Sequence, residues 1–130
     1  MVLAVDTSVV LAVAVGEATA PALAAATRGA ELIAPASLPA EIGNALSAML
    51  KRNRISPADA ERVLAAYREI PIELVDIDFD RSVRLAARLG MYAYDAYVLD
   101  CALARDVPLL SLDGGQRQAA RRARILLHPF

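Results

Sequence analysis

Met1–Val2–Leu3–Ala4–Val5–Asp6–Thr7–Ser8 is the stretch on which the fold turns. An apolar run passes without polar interruption into a carboxylate, and two hydroxyl residues follow. Such a run, with no alternation, is the pattern of a strand covered on both faces, as in a parallel sheet. A strand that stops at Asp6 sets that carboxylate at the carboxyl edge of the sheet, where open α/β folds bind their ligands. Thr7 or Ser8 is placed to cap a helix that turns back over the sheet. Taken alone, Asp6 reads equally well as a plain cap or turn residue. The rest of the chain decides between these readings.

Moving outward, helical patterns over Ser8–Gly16 and Ala18–Arg28 precede a short strand at Glu31–Ala34. Leu38, Ile42, Ala45, Leu46, Met49 and Leu50 carry helical spacing through Ser37–Arg54. Ser56, Pro57 and Asp59 have the signature of a helix start, and that helix runs to Ile70. A third strand is expected over Ile72–Ile77, then a helix capped by Asp80 and closed by Gly90, then a helix over Tyr94–Arg105. Pro108–Asp113 reads as a fourth strand that also ends in a carboxylate. A basic helix over Gln116–Ala123 and a last strand over Arg124–Leu127 follow. Strands alternating with helices predict an α/β fold, with a central parallel sheet of about five strands flanked by helices, in one domain spanning residues 1–130.

Composition narrows the function classes. The chain has 130 residues, 57% of them hydrophobic, and a formal net charge of −1, so no global basic field points to nucleic acid. The single cysteine, Cys101, cannot form an intrachain disulfide and sits in an apolar helical run, which suits a reducing compartment. The apolar run Val9–Val15 has no Lys or Arg before it, and Asp6 stands where a signal peptide carries positive charge. No stretch approaches the ~20 apolar residues that span a bilayer. These features predict a cytoplasmic protein.

Four acids stand out. Asp6 and Asp113 end two strands and, if those strands are neighbours, sit side by side. Asp95 falls on the helical stripe formed by Val98, Leu99, Ala102 and Leu103, where a carboxylate is costly unless paired or metal-bound. Glu41 flanks the apolar stripe of its own helix, beside Ala45 and one turn before Asn44. With one His and one Cys there is no zinc cluster, whereas oxygen-rich sites take Mg²⁺ or Mn²⁺ and engage phosphate. Such a set suits attack of metal-activated water on a phosphodiester.

Asp6–Thr7–Ser8, Pro39–Ala40–Glu41–Ile42–Gly43–Asn44–Ala45–Leu46, Tyr94–Asp95–Ala96–Tyr97 and Pro108–Leu109–Leu110–Ser111–Leu112–Asp113 together resemble a PIN-domain ribonuclease, nearest the VapC-type toxins of bacterial toxin–antitoxin pairs. The resemblance spans essentially the whole chain. It implies a Mg²⁺- or Mn²⁺-dependent endoribonuclease with Asp6, Glu41, Asp95 and Asp113 as catalytic and metal-holding acids, supported by Ser8, Asn44 and Ser111. It also implies a homodimer neutralised by a VapB-type antitoxin. The alternative that keeps every residue and loses turnover is a silent PIN-like module that binds RNA or protein.

Other acidic patterns fit less well. Asp76–Ile77–Asp78–Phe79–Asp80 resembles a calcium loop, but Arg81 replaces the required Gly and Ala87 the required Glu. A receiver domain would need a late lysine, and the only one, Lys51, is mid-chain; a haloacid-dehalogenase phosphatase would need Asp-x-Asp at Asp6. Asp100, about 140° around the helix from Asp95 at 100° per residue, is expected to face away from the acids. Arg117, Arg121, Arg122 and Arg124 form the local basic cluster. It reads as a solvated helix face or, beside Asp113, as a track for RNA phosphates carried by Arg117, Arg121 and Arg122.

Overall fold

Val2–Val5 forms strand β1, and its residues divide between two cores. Ala4 packs into one core and Val5 into the other, because successive strand side chains point to opposite faces. Ile33 and Ala34 divide the same way, as do Leu109 and Leu110. Both faces of the sheet are therefore covered, which is why its strands read as apolar without alternation. These relations are those of a computed structural model that describes residues 1–130.

After β1 come α1 (Thr7–Val15), α2 (Ala20–Ala26), β2 (Glu31–Pro35), α3 (Leu38–Lys51), α4 (Pro57–Arg68) and β3 (Ile72–Val75). The chain continues through α5 (Phe79–Leu89), α6 (Ala93–Arg105), β4 (Leu109–Leu110) and α7 (Gly114–Arg122). Residues of α1 to α4 fill the core that holds Val5, and residues of α5 to α7 fill the core that holds Ala4. The sheet is parallel throughout, in the order β3–β2–β1–β4. The expected parallel α/β architecture is present, with four strands rather than about five. Arg124 has a φ of 61°, a left-handed conformation that interrupts an extended chain. The strand expected over Arg124–Leu127 is accordingly reduced to one parallel bridge between Leu127 and Leu109.

Two helix starts differ from the sequence reading. Asp6, not Thr7 or Ser8, caps α1, accepting from the Val9 N–H at 3.2 Å. Asp78, not Asp80, caps α5, accepting from the Arg81 N–H at 2.9 Å. At α4 the reciprocal cap between Ser56 and Asp59 forms as expected, with Pro57 in the first turn. The valine-rich run after Ser8 is helical, with Val9, Val10, Ala12 and Ala14 buried.

Because β1 lies between β2 and β4, Asp6 leaves the interior of the sheet and Asp113 follows the strand beside it. Cys101 is buried, and burial pushes its thiol up to about 11. No helix is long and apolar enough to cross a membrane.

Candidate active site

Asp6 is buried at the junction of β1 and α1, and both its oxygens are engaged. Oδ1 accepts from the Val9 N–H and from the Ser8 hydroxyl at 2.5 Å, while Oδ2 accepts from the Ser111 hydroxyl. Ser111 is fully buried just beyond β4, and its oxygen also accepts from the Asp113 N–H at 3.0 Å. Ser8 ties the same two chain segments together, accepting from the Leu112 N–H at 3.0 Å. The crossing from β1 to β4 is thus fixed by hydroxyls that also hold Asp6 in one orientation.

Glu41, in the first turn of α3, is held at both oxygens. Thr7 donates to Oε1 at 3.1 Å and Ser37 donates to Oε2 at 2.7 Å. Asp113 caps α7, its Oδ2 accepting from the Gln116 N–H at 2.8 Å. A side chain at position 115 would bring its Cβ to 3.2 Å from that same oxygen, so Gly115 gives the Asp113 carboxylate room. Gln116 is buried and donates through Nε2 to the Asp95 carbonyl at 3.1 Å, linking the start of α7 to the start of α6.

These elements bring the four predicted acids together. Asp6, Glu41, Asp95 and Asp113 line one cavity of about 310 Å³, with Thr7, Ser8 and Gln116 among its other walls. No Lys, Arg or His lines it. Burial pushes the Asp6 carboxyl above the ordinary range against the pull of its hydroxyl donors, and the Asp113 charge adds to the rise. Glu41 is raised first by burial and then by the charges of Asp95 and Asp6. Asp95, exposed on its outer side, is raised by partial desolvation where it lines the cavity and then by the Asp113 charge. These three carboxyls each feel the charge of another acid, the electrostatic mark of a site that lacks positive charge.

The donor set suits a hard divalent cation: it is all oxygen, rich in carboxylate and without imidazole or thiolate. No group of three or more His, Cys, Asp or Glu side chains stands ready to enclose an ion by itself.

Not every sequence expectation places as drawn. Asp95 is exposed rather than embedded in an apolar stripe, and Leu103 of that stripe is itself 39% exposed. The buried acid of α6 is Asp100, which lies outside the acid cavity and accepts a two-pronged contact from Arg81 at 3.1 Å and 3.1 Å. Asn44 lines a neighbouring cavity that shares Thr7 and Glu41 with the first. The basic cluster is not one surface. Arg117 donates to the Ser111 and Phe130 carbonyls, Arg121 is exposed, and Arg122 lines a groove with Asp95, Asp113 and Gln116. Thr7, read only as a cap candidate, and Ser37 and Gln116 were not expected to support the site. The four-residue step from Ser37 to Glu41 is a helical-neighbour signal that could have found one of them.

The family model of the PIN domain matches residues 3–122. The fold is similar to the crystal structure of PAE2754 from Pyrobaculum aerophilum, with a TM-score of 0.71 at 21% identity over 92% of this chain and 87% of that one. It is also similar to VapBC2 from Rickettsia felis, solved bound to a DNA fragment from their promoter, with a TM-score of 0.68 at 12% identity over 98% of each chain. No curated protein sequence matches the chain.

Proposed function

The chain belongs to the PIN-domain family, and from that membership we propose that it is a Mg²⁺- or Mn²⁺-dependent endoribonuclease, the toxin of a toxin–antitoxin pair. The observation that carries the reading is the acid cavity itself, with four carboxylates, hydroxyls that orient two of them, and no cationic side chain. An RNA phosphate is an anion, and such a cavity repels it unless a cation intervenes. Asp6, Glu41, Asp95 and Asp113 are the residues that would hold the ion. When bound, Mg²⁺ or Mn²⁺ lowers the pKa of a water molecule and offsets charge on the phosphodiester oxygens.

The chain's own residues prepare that chemistry. Ser8, Ser111 and the Val9 N–H fix Asp6 before any ligand arrives, so little rearrangement is needed on binding. Thr7 and Ser37 do the same for Glu41. Gln116 and the cap at Asp113 hold the starts of α6 and α7 together, and with them the two more exposed acids. Arg122, in the adjoining groove, supplies positive charge for a flanking phosphate, with exposed Arg121 near it in sequence. Arg117, tied to two carbonyls, is the least free of the three to do so.

A VapB-type antitoxin as partner and a homodimer as working form rest on family membership and on the likeness to VapBC2 along the whole chain. The lone buried cysteine favours a cytoplasmic site of action. The test is end-group analysis of RNA cut by the purified protein with Mg²⁺. Attack by water predicts no 2′,3′-cyclic phosphate, and cyclic ends throughout would replace this mechanism with attack by the ribose hydroxyl.

A further inference from the structure

Next to the acid cavity lies a second, of about 530 Å³, lined by Thr7, Ala40, Glu41, Asn44, Ala45 and Tyr94. Thr7 and Glu41 belong to both, so the two are separated by the width of one side chain. The second differs in chemistry because it offers an aromatic ring and a carboxamide. Tyr94 is 57% exposed, and Asn44 is exposed with no hydrogen bond from its amide to the rest of the chain.

Tyr94 belongs to a row of rings. It meets Tyr97 edge-on, with centroids 5.7 Å apart and planes at 80°, and Tyr97 meets Phe79 at 6.1 Å and 82°. Phe79 is 64% exposed. An edge-on contact covers at most one face of a ring, so Tyr94 keeps a face for another flat group. Unpaired RNA bases are bound by stacking on such rings and by hydrogen bonds to their edges. The Asn44 amide carries both a donor and an acceptor for a base edge.

We infer that Tyr94 and Asn44 form a subsite for one unpaired nucleobase beside the phosphate that is cut, with Tyr97 and Phe79 extending the stacking surface. This rests on the nuclease reading and adds to it the place where base preference is set. Here Glu41, Asn44 and Thr7 make half of the lining polar, and Thr7 and Glu41 are shared with the acid cavity.

The test is steady-state cleavage of single-stranded oligonucleotides by the full chain with Mg²⁺, alongside sedimentation of each variant. Tyr94→Ala is expected to raise KM about ten-fold or more while kcat stays within a few-fold. Tyr94→Phe, which keeps the ring, recovers most of that loss, and Asn44→Ala shifts which base is preferred at the cut. A Tyr94→Ala variant that cuts the same sites with unchanged KM overturns the subsite, as does one whose only change is in self-association. Wild-type protein that cuts no RNA with any divalent ion would instead remove the nuclease reading and the subsite with it.

Discussion

The Ser111 hydroxyl donates to Asp6 Oδ2 while its oxygen accepts from the Asp113 N–H, so one buried side chain joins two acids that lie 107 positions apart in the chain. Removing it leaves the buried Asp6 carboxylate short of a donor. Ser111→Ala is expected to cost about 1–3 kcal/mol in urea unfolding, the usual penalty for an unmet buried polar group. Ser111→Thr, which keeps the hydroxyl, should recover part of it. A Ser111→Ala protein as stable as wild type would show that the bridge carries no weight.

Asp6 also sets a pH signature. Its carboxyl lies above the ordinary range in the folded chain, chiefly through burial, so the folded state prefers the protonated form. The related stability is fully present below the unfolded pKa and is lost as pH rises through the raised folded value. In EDTA at pH 7, Asp6→Asn should therefore melt at or above the wild-type temperature, and the gap should close as pH falls toward the ordinary aspartate range. A variant that melts well below wild type at pH 7 would contradict the burial penalty on the Asp6 charge.

Much of this was legible at the start of the chain. The run to Asp6 placed a covered strand and its terminal acid correctly because burial on both faces leaves a direct mark on composition. Asp113 was read as the end of a strand over Pro108–Asp113, whereas β4 stops at Leu110 and Asp113 caps α7. Asp95 and Asp100 were harder, since helical spacing says which residues share a face but not which face is met by a neighbour. Asp100, the buried acid of α6, is met by Arg81 from a different helix. Thr7 and Gln116 serve partners on other elements, and no local pattern records such contacts. The last strand failed at Arg124, where a single left-handed residue overrides the apolar run that follows.

Thr7 and Ser37 orient Glu41 from opposite sides, so their loss should weaken the site without unfolding it. Thr7→Val and Ser37→Ala are each expected to lower Mn²⁺ affinity by about ten-fold, at the low end of what supporting hydrogen bonds contribute at metal sites. Calorimetric titration of Mn²⁺ into each protein measures this. Unchanged affinity in both would mean that Glu41 does not take part in binding the ion.

Cys101 is buried with its thiol raised to about 11, so almost no thiolate is available near neutral pH. The native protein should leave a thiol-specific disulfide reagent unreacted at pH 8 and titrate one thiol once unfolded in urea. Rapid reaction of the folded protein would place Cys101 in a more open setting than the core of α6.

The central claim is that the four carboxylates act together through a divalent ion. It is tested most directly by incubating purified wild-type and Asp6→Asn protein with total cellular RNA in Mg²⁺, in Mn²⁺ and in EDTA, with melting curves to show that both are folded. Discrete products that require the metal and vanish with Asp6→Asn are the predicted result. Identical cleavage by wild type and variant, indifferent to metal, would contradict it.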